Sequence, residues 1–164
     1  KSVSFGTDYL SIVGEGEERG RIEQQIRELR LESAVRLVGM VPNEDLPFFY
    51  AASDVFILPN YEVTDPKDPW VGDYEGFGIV FVEAAACGKP VIAGRSAGAL
   101  DAIKDGETGL LVDPFDPDAI AEAILRLLKD ESLAHSMGRA GRKRVEREFD
   151  WPVLLEQYET SFET

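Results

Sequence analysis

Glu75 and Glu83 bracket a Gly76-Phe77-Gly78 turn in the run Tyr74-Glu75-Gly76-Phe77-Gly78-Ile79-Val80-Phe81-Val82-Glu83, with seven residues between the two acids. The glycines let a ligand approach the backbone closely, and Phe77 can anchor the turn in a core. The amides of Gly78, Ile79 and Val80 fall where a helix should begin, so free N–H groups and the positive end of the helix dipole suit a phosphate. A carboxylate repels that phosphate and suits a neutral, hydroxyl-rich neighbour instead. Were the whole segment helical, eight steps of ~1.5 Å would set the two acids ~12 Å apart. That span matches a diphosphate carrying a sugar at one end and a ribose at the other. Glu75 would then accept hydrogen bonds from sugar hydroxyls, and Glu83 from the ribose diol. The bland alternative makes Glu75 a cap-region acid and Glu83 a solvated helix residue. Glu83 lies within an apolar run, where a solvated acid is less expected.

The elements that must hold this turn alternate between strand-like and helix-like. Residues 9–13 form a short apolar run ending at Gly14, and 17–31 follow with helical periodicity. Residues 35–38 read as a second strand, closed by Gly39 and Pro42. Asn43 or Asp45 could cap a helix through Ala52, and 55–58 read as a buried strand. Residues 61–74 carry acids and prolines without apolar periodicity and read as a long loop, a kind that is often functional. A helix is expected over 77–87, ending at Gly88, then a strand over 90–93, a helix over 97–104 and a strand over 109–112. Helices over 118–129, 133–148 and 152–162 complete the chain, the last with Asp150 placed as a cap. Uniformly apolar strands spaced by helices imply an α/β fold, a Rossmann-like parallel sheet with helices on both faces. Ligands bind such sheets beyond the carboxyl ends of the strands. Gly14-Glu15-Gly16, residues 40–43, the loop with Glu75 and residues 95–99 all fall on that edge.

Composition narrows the chemistry. The 164 residues suit one domain with a sizeable core, and 44% hydrophobic with 29% charged residues is ordinary for a soluble globular protein. A net charge of −14 argues against nucleic acid as a partner and against long-range steering of an anion. One cysteine, Cys87, excludes a disulfide framework and a multi-cysteine zinc site. Asp65, Asp68 and Asp73 lie in the long loop without metal-ligand spacing, so no metal is expected. No run approaches a membrane span, and a cytoplasmic domain is expected, with peripheral attachment to the inner membrane face left open.

Other constellations are weak. Gly14 and Gly16 could contact a ligand, or could simply make a tight strand-to-helix turn. Gly20 comes one residue too late for a dinucleotide fingerprint, and Glu15, Glu17 and Glu18 oppose a pyrophosphate. There is no phosphate-binding loop of Walker type. His135, the single histidine, reads as a surface residue. Cys87 in Ala84-Ala85-Ala86-Cys87-Gly88 reads as a buried thiol where small side chains allow close helix–sheet packing. Arg95 could reach an anion at the sheet edge or be a solvated charge, and the basic run 139–147 reads as a solvated helix face.

In order and context these segments resemble the C-terminal, donor-binding domain of the family-4 retaining glycosyltransferases of GT-B fold (glycosyl transferases group 1). The resemblance runs from about Leu10 to Phe162. It rests on Ile12-Val13-Gly14-Glu15-Gly16, Val38-Gly39-Met40-Val41-Pro42, Tyr50-Ala51-Ala52-Ser53-Asp54-Val55-Phe56-Ile57-Leu58-Pro59 and the E-x7-E run. Glu83-Ala84-Ala85-Ala86-Cys87-Gly88-Lys89-Pro90-Val91-Ile92-Ala93, Asp105-Gly106-Glu107-Thr108-Gly109-Leu110-Leu111-Val112 and Phe149-Asp150-Trp151 complete it. The resemblance implies that Glu75 contacts the donor sugar as the catalytic acid position, and that Glu83 holds the ribose. It also implies that the backbone of Gly76, Phe77, Gly78, Ile79 and Val80 meets the sugar and diphosphate, while Val41 pairs its main chain with the nucleobase. The implied reaction moves a hexose from a nucleotide sugar to an acceptor hydroxyl with retention, without cofactor or metal, by positioning and electrostatics.

Two departures qualify that expectation. Lys1–Asp8 lacks the strand, basic pair and helix that usually open such a domain, and the acceptor domain is missing. The chain is therefore expected to be the C-terminal half of a GT-B architecture without its first strand–helix unit, one donor-binding domain over 1–164, inactive alone. Its acceptor (glycan, lipid or small molecule) and any membrane association would come through the missing half. The glycine pair usual after the fourth strand is Ala97-Gly98-Ala99 here. The alternatives are a non-catalytic nucleotide-sugar-binding or interaction module, and a GT-B relative such as an epimerase or phosphorylase, for which His135 and Lys89 fit poorly.

Overall fold

The computed structural model describes residues 9–61 and 78–161. They fall into two compact units, Lys1–Leu46 and Pro47–Thr164. In the first, β1 (Leu10–Val13) pairs in parallel with β2 (Val35–Gly39), and α1 (Arg19–Glu28) connects them. The register runs Leu10↔Val35 to Val13↔Gly39, with a shift between Ile12 and Val13. The helix is shorter than the 17–31 periodicity suggests. Arg30 adopts φ 55, Leu31 N–H donates to Ile26 C=O at 2.9 Å and Arg30 N–H to Arg27 C=O at 3.1 Å, a Schellman turn that stops the helix. Full burial of the strands is not met here. Leu10 and Val13 remain 47% and 39% exposed, because α1 buries none of its own residues and so covers little of the pair.

In the second unit β3 (Phe56–Leu58), β4 (Val91–Gly94) and β5 (Gly109–Val112) form a parallel sheet in that order, with Phe56↔Val91 and Val91↔Gly109 in register. The hydrogen-bonded pairing is thus parallel as expected, in two sets of strands. Every residue of β4 and β5 is buried. Successive strand residues point to opposite faces, and both faces are covered. Ile92 packs with Leu110, Val112, Ala123, Leu127 and Met137 toward α5 (Pro117–Lys129) and α6 (Glu131–Glu148). Val91 lines a small cavity with Phe81 and Ala85 of α3 (Ile79–Ala86). Asp116 starts α5 by accepting from the N–H groups of Asp118 and Ala119, both at 3.0 Å, and Asp130 starts α6 by accepting from Leu133 at 2.9 Å. α2 (Leu46–Ala52), α4 (Ala97–Ala102) and α7 (Trp151–Ser161) complete the elements.

Small side chains in 84–88 and in α6 serve a helix–helix approach more than a helix–sheet one. A Cβ on Gly141 would lie 3.2 Å from that of Ala85, and one on Gly138 would stand 2.8 Å from the carbonyl carbon of Gly88. The basic run 139–147 is solvated as expected at Arg139, Arg142, Lys143 and Arg147, and two of its arginines also bind backbone. Arg144, its side chain 12% exposed, donates to the carbonyls of Ala102 and Asp101 at 2.7 Å each, closing α4. Arg142 donates to Ala86 C=O at the end of α3. Orphan carbonyls at helix ends accept from cations readily; Arg144 is drawn off the solvent face by them, whereas Arg142 reaches its carbonyl while staying exposed.

Candidate functional site around Glu83

Gly78 ends the preceding segment and starts α3. Its φ of 70 is left-handed, and a Cβ there would collide with the Phe81 ring, so the turn needs glycine. The N-cap has no side-chain hydrogen bond, while Phe81 N–H already donates to Gly78 C=O at 2.9 Å. Ile79 is exposed and Val80 half-buried in this first turn. Glu75, Gly76 and Phe77 lie outside the described residues. The ~12 Å separation expected for a helix from Glu75 to Glu83 does not carry over, because the helix begins only at Ile79 after a left-handed residue.

Glu83 occupies the next turn of α3 and is half-buried rather than solvated. Tyr50 Oη, on α2, donates to its Oε2 at 2.9 Å. The Tyr50 ring is buried, packed edge-on to Phe56 with centroids 5.4 Å apart, and Phe56 in turn meets Phe81 at 6.2 Å. Burial first, then the hydrogen bond and charge of Glu83, push the Tyr50 hydroxyl well above its ordinary range. The phenol therefore stays protonated and donating. Sequence reasoning missed Tyr50, which occurs in a segment quoted only for its likeness; an aromatic with a polar tip in an otherwise apolar helix was the available signal. Lys89 Nζ reinforces the same junction by donating to Ala51 C=O at 2.8 Å.

At the carboxyl end of β4, Arg95 is an exposed charge, its side chain 55% accessible, and its guanidinium is also paired within the chain. It donates to Asp105 Oδ2 at 3.0 Å and to Leu111 C=O at 3.2 Å, while Asp105 Oδ1 accepts from Leu111 N–H at 3.0 Å. Asn60 Nδ2 donates to Ser96 Oγ at 3.0 Å beyond β3 and β4. Cys87 is half-buried at the end of α3, less enclosed than its small neighbours suggest, and His135 is exposed on α6 as expected.

Gly14, Gly16 and Val41 belong to the first unit. Gly14 has φ 128 and donates to Gly39 C=O at 2.9 Å; Gly16 C=O accepts from Arg19 N–H at 3.1 Å. Glu15 pairs with Arg19 at 2.6 Å, and its carboxylate rests where a Cβ on Gly39 would come within 2.8 Å. These contacts make Gly14-Glu15-Gly16 a strand-to-helix turn. Val41 is half-buried just after β2. Among the described residues no group of three or more His, Cys, Asp or Glu could hold a metal, and no helix is long and apolar enough to cross a membrane.

The family model for "Glycosyl transferases group 1" matches residues 9–144. A GDP-mannose-dependent alpha-(1-6)-phosphatidylinositol monomannoside mannosyltransferase of Mycolicibacterium smegmatis is 40% identical over 143 residues, covering 87% of this chain and 36% of that protein. A glycogen synthase of Mycobacterium tuberculosis is 32% identical over 88% of this chain and 32% of its own length. Among solved structures, sucrose-phosphate synthase of Thermosynechococcus elongatus superposes with a TM-score of 0.78 at 37% identity, over 94% of this chain and 37% of that one. HepE of Anabaena, solved with UDP-glucose, gives 0.76 at 27% identity over 94% and 40%. The chain thus spans about a third to two fifths of the length of these relatives, and its α/β fold is that of the GT-B glycosyltransferases. By this match over most of its length, the chain belongs to the glycosyl transferases group 1 family.

Proposed function

We propose that this chain supplies the donor-binding half of a retaining glycosyltransferase, which moves a hexose from a nucleotide sugar to an acceptor hydroxyl. The observation that carries the reading is Glu83 on α3. Its carboxylate is half-buried, held by Tyr50 through one oxygen and one helical turn past a glycine-initiated helix start that has no side-chain cap hydrogen bond. In this reading the amides about Gly78, Ile79 and Val80 meet the diphosphate, Glu83 accepts from the ribose diol, and Glu75 accepts from hydroxyls of the donor sugar. By the family resemblance, Gly76 and Phe77 belong to that contact, and Gly14, Gly16 and Val41 remain donor-binding candidates of the first unit. A UDP-glucose complex of a neighbour and the GDP-mannose dependence of a relative support a nucleoside diphosphate sugar as the ligand class. Catalysis would lie in placing the anomeric carbon and stabilising the departing diphosphate, with the acceptor entering on the same face and no metal needed.

The charge on the departing diphosphate needs a cation. Lys89 and Arg95, the two that flank β4, are already engaged with backbone and with Asp105. We therefore propose that the neutralising cations and the acceptor site come from other parts of the whole protein, so that this chain binds donor without completing transfer.

Calorimetric titration of UDP-, GDP- and ADP-sugars into the chain and into Glu83→Ala tests the reading. Loss of a hydrogen-bonded charge should weaken the preferred donor by about 10- to 100-fold. Equal affinity for both proteins refutes the ribose assignment.

A further inference from the structure

Glu83 has two carboxylate oxygens with different surroundings. Oε2 accepts from Tyr50 Oη at 2.9 Å, and Oε1 has no protein hydrogen-bond partner among the described residues. The tyrosine is far better fixed than the glutamate. Its ring is buried and wedged edge-on against Phe56, which is itself braced by Phe81. The end of its helix is held by Lys89 on Ala51 C=O and by Ser53 Oγ on Tyr50 C=O at 2.9 Å. A phenylalanine would fill the same aromatic slot, so packing alone does not account for the hydroxyl. A glutamate with three side-chain torsions loses much rotamer freedom when it must present one oxygen to a ligand, and a rigid donor on the other oxygen removes that cost in advance.

We infer that Tyr50 is a positioning residue for Glu83, fixing one carboxylate oxygen so that the other is preset to accept from a vicinal diol of the ligand. Its hydroxyl touches no ligand itself. Because burial and the adjacent carboxylate keep the phenol protonated, the brace persists through the neutral range. The inference rests on the ribose reading of Glu83, and it adds a residue on a different helix whose removal should mimic part of the loss of the acid.

The test compares UDP and GDP with their 2′-deoxy forms, titrated into wild type, Tyr50→Phe, Glu83→Ala and the double variant. Tyr50→Phe should weaken the tighter-binding ribonucleotide about 3- to 10-fold, leave its 2′-deoxy form within about twofold, and add nothing once Glu83 is alanine. Equal weakening of both forms would make Tyr50 a general packing residue and overturn the inference, as would an unchanged ribonucleotide affinity. If Glu83→Ala abolishes the preference for ribose while Tyr50→Phe retains it, the role of Tyr50 fails and that of Glu83 stands. If Glu83→Ala retains the preference, the ribose reading fails and takes the inference with it. The 2′-deoxy ligand also guards against a misfolded variant, which would lose both forms together.

Discussion

Gly138→Ala should destabilise the protein, although alanine is the better helix former. Gly138 lies inside α6, where alanine gains roughly 1 kcal/mol over glycine in an open helix. An added Cβ would stand 2.8 Å from the carbonyl carbon of Gly88 and closer still to its oxygen. Carbon atoms pack comfortably at about 3.5–4.0 Å, so α6 and the turn after α3 must part by close to 1 Å. The obstacle is backbone, which cannot rotate away, and overpacking of this kind costs about 1–3 kcal/mol and occasionally more. With the propensity gain set against a cost at the upper end, a net loss of about 2 kcal/mol is expected. In urea, with a slope near 2 kcal/mol per molar, the midpoint would fall by about 1 M at unchanged slope. Gly20→Ala is the matched control: it lies in α1 with no atom within 4 Å of the added Cβ, and should be neutral or stabilising. A Gly138→Ala midpoint at or above wild type would refute the reasoning, since helix propensity would then outweigh the close approach. The consequence for function follows from position, because α3 packs on α6 and carries Glu83.

Arg30→Gly should stabilise the first unit by about 0.5–1 kcal/mol. It removes the side chain from a left-handed position (φ 55) while paying glycine's larger unfolded-state entropy, and chemical denaturation would read the difference. Glu148 is held down to about pH 2 by hydrogen bonds from Arg147 and then Arg144, against 4.5 for an ordinary glutamate. Its folded-state value is depressed, so its contribution is present above pH ~4.5 and lost as pH falls toward 2. Glu148→Gln should therefore flatten the acid limb of the stability profile in that window and leave its shape near neutrality unchanged; an identical acid limb would show the pair to be inert. The side chain is 32% exposed, so the effect should shrink in high salt.

Periodicity in single segments located the elements well. The strand over 109–112 and the helix ending at Gly88 follow from local patterns, because apolar runs and glycine stops act within a few residues. Boundaries drifted where a distant or unusual contact decided them. The first helix stops early at Arg30, a residue type that gives no warning of a left-handed turn. The basic run of α6 is solvated as its periodicity says, except at Arg144, because periodicity does not reveal that carbonyls of α4 lie beside it. The same holds for the candidate site: Glu83 stands out as an acid in an apolar run, whereas its partner is 33 residues away.

By itself the sequence determined the α/β alternation, the glycine turn that must start α3, and the membership of a glycosyltransferase family. These are properties of short-range pattern and of motif order. Only the tertiary structure decided which groups meet: Tyr50 with Glu83, Arg95 with Asp105, and the arginines of α6 with the ends of other helices. Hydrogen bonds and close packing depend on distances of a few ångströms between residues far apart in the chain, and no local preference encodes those distances.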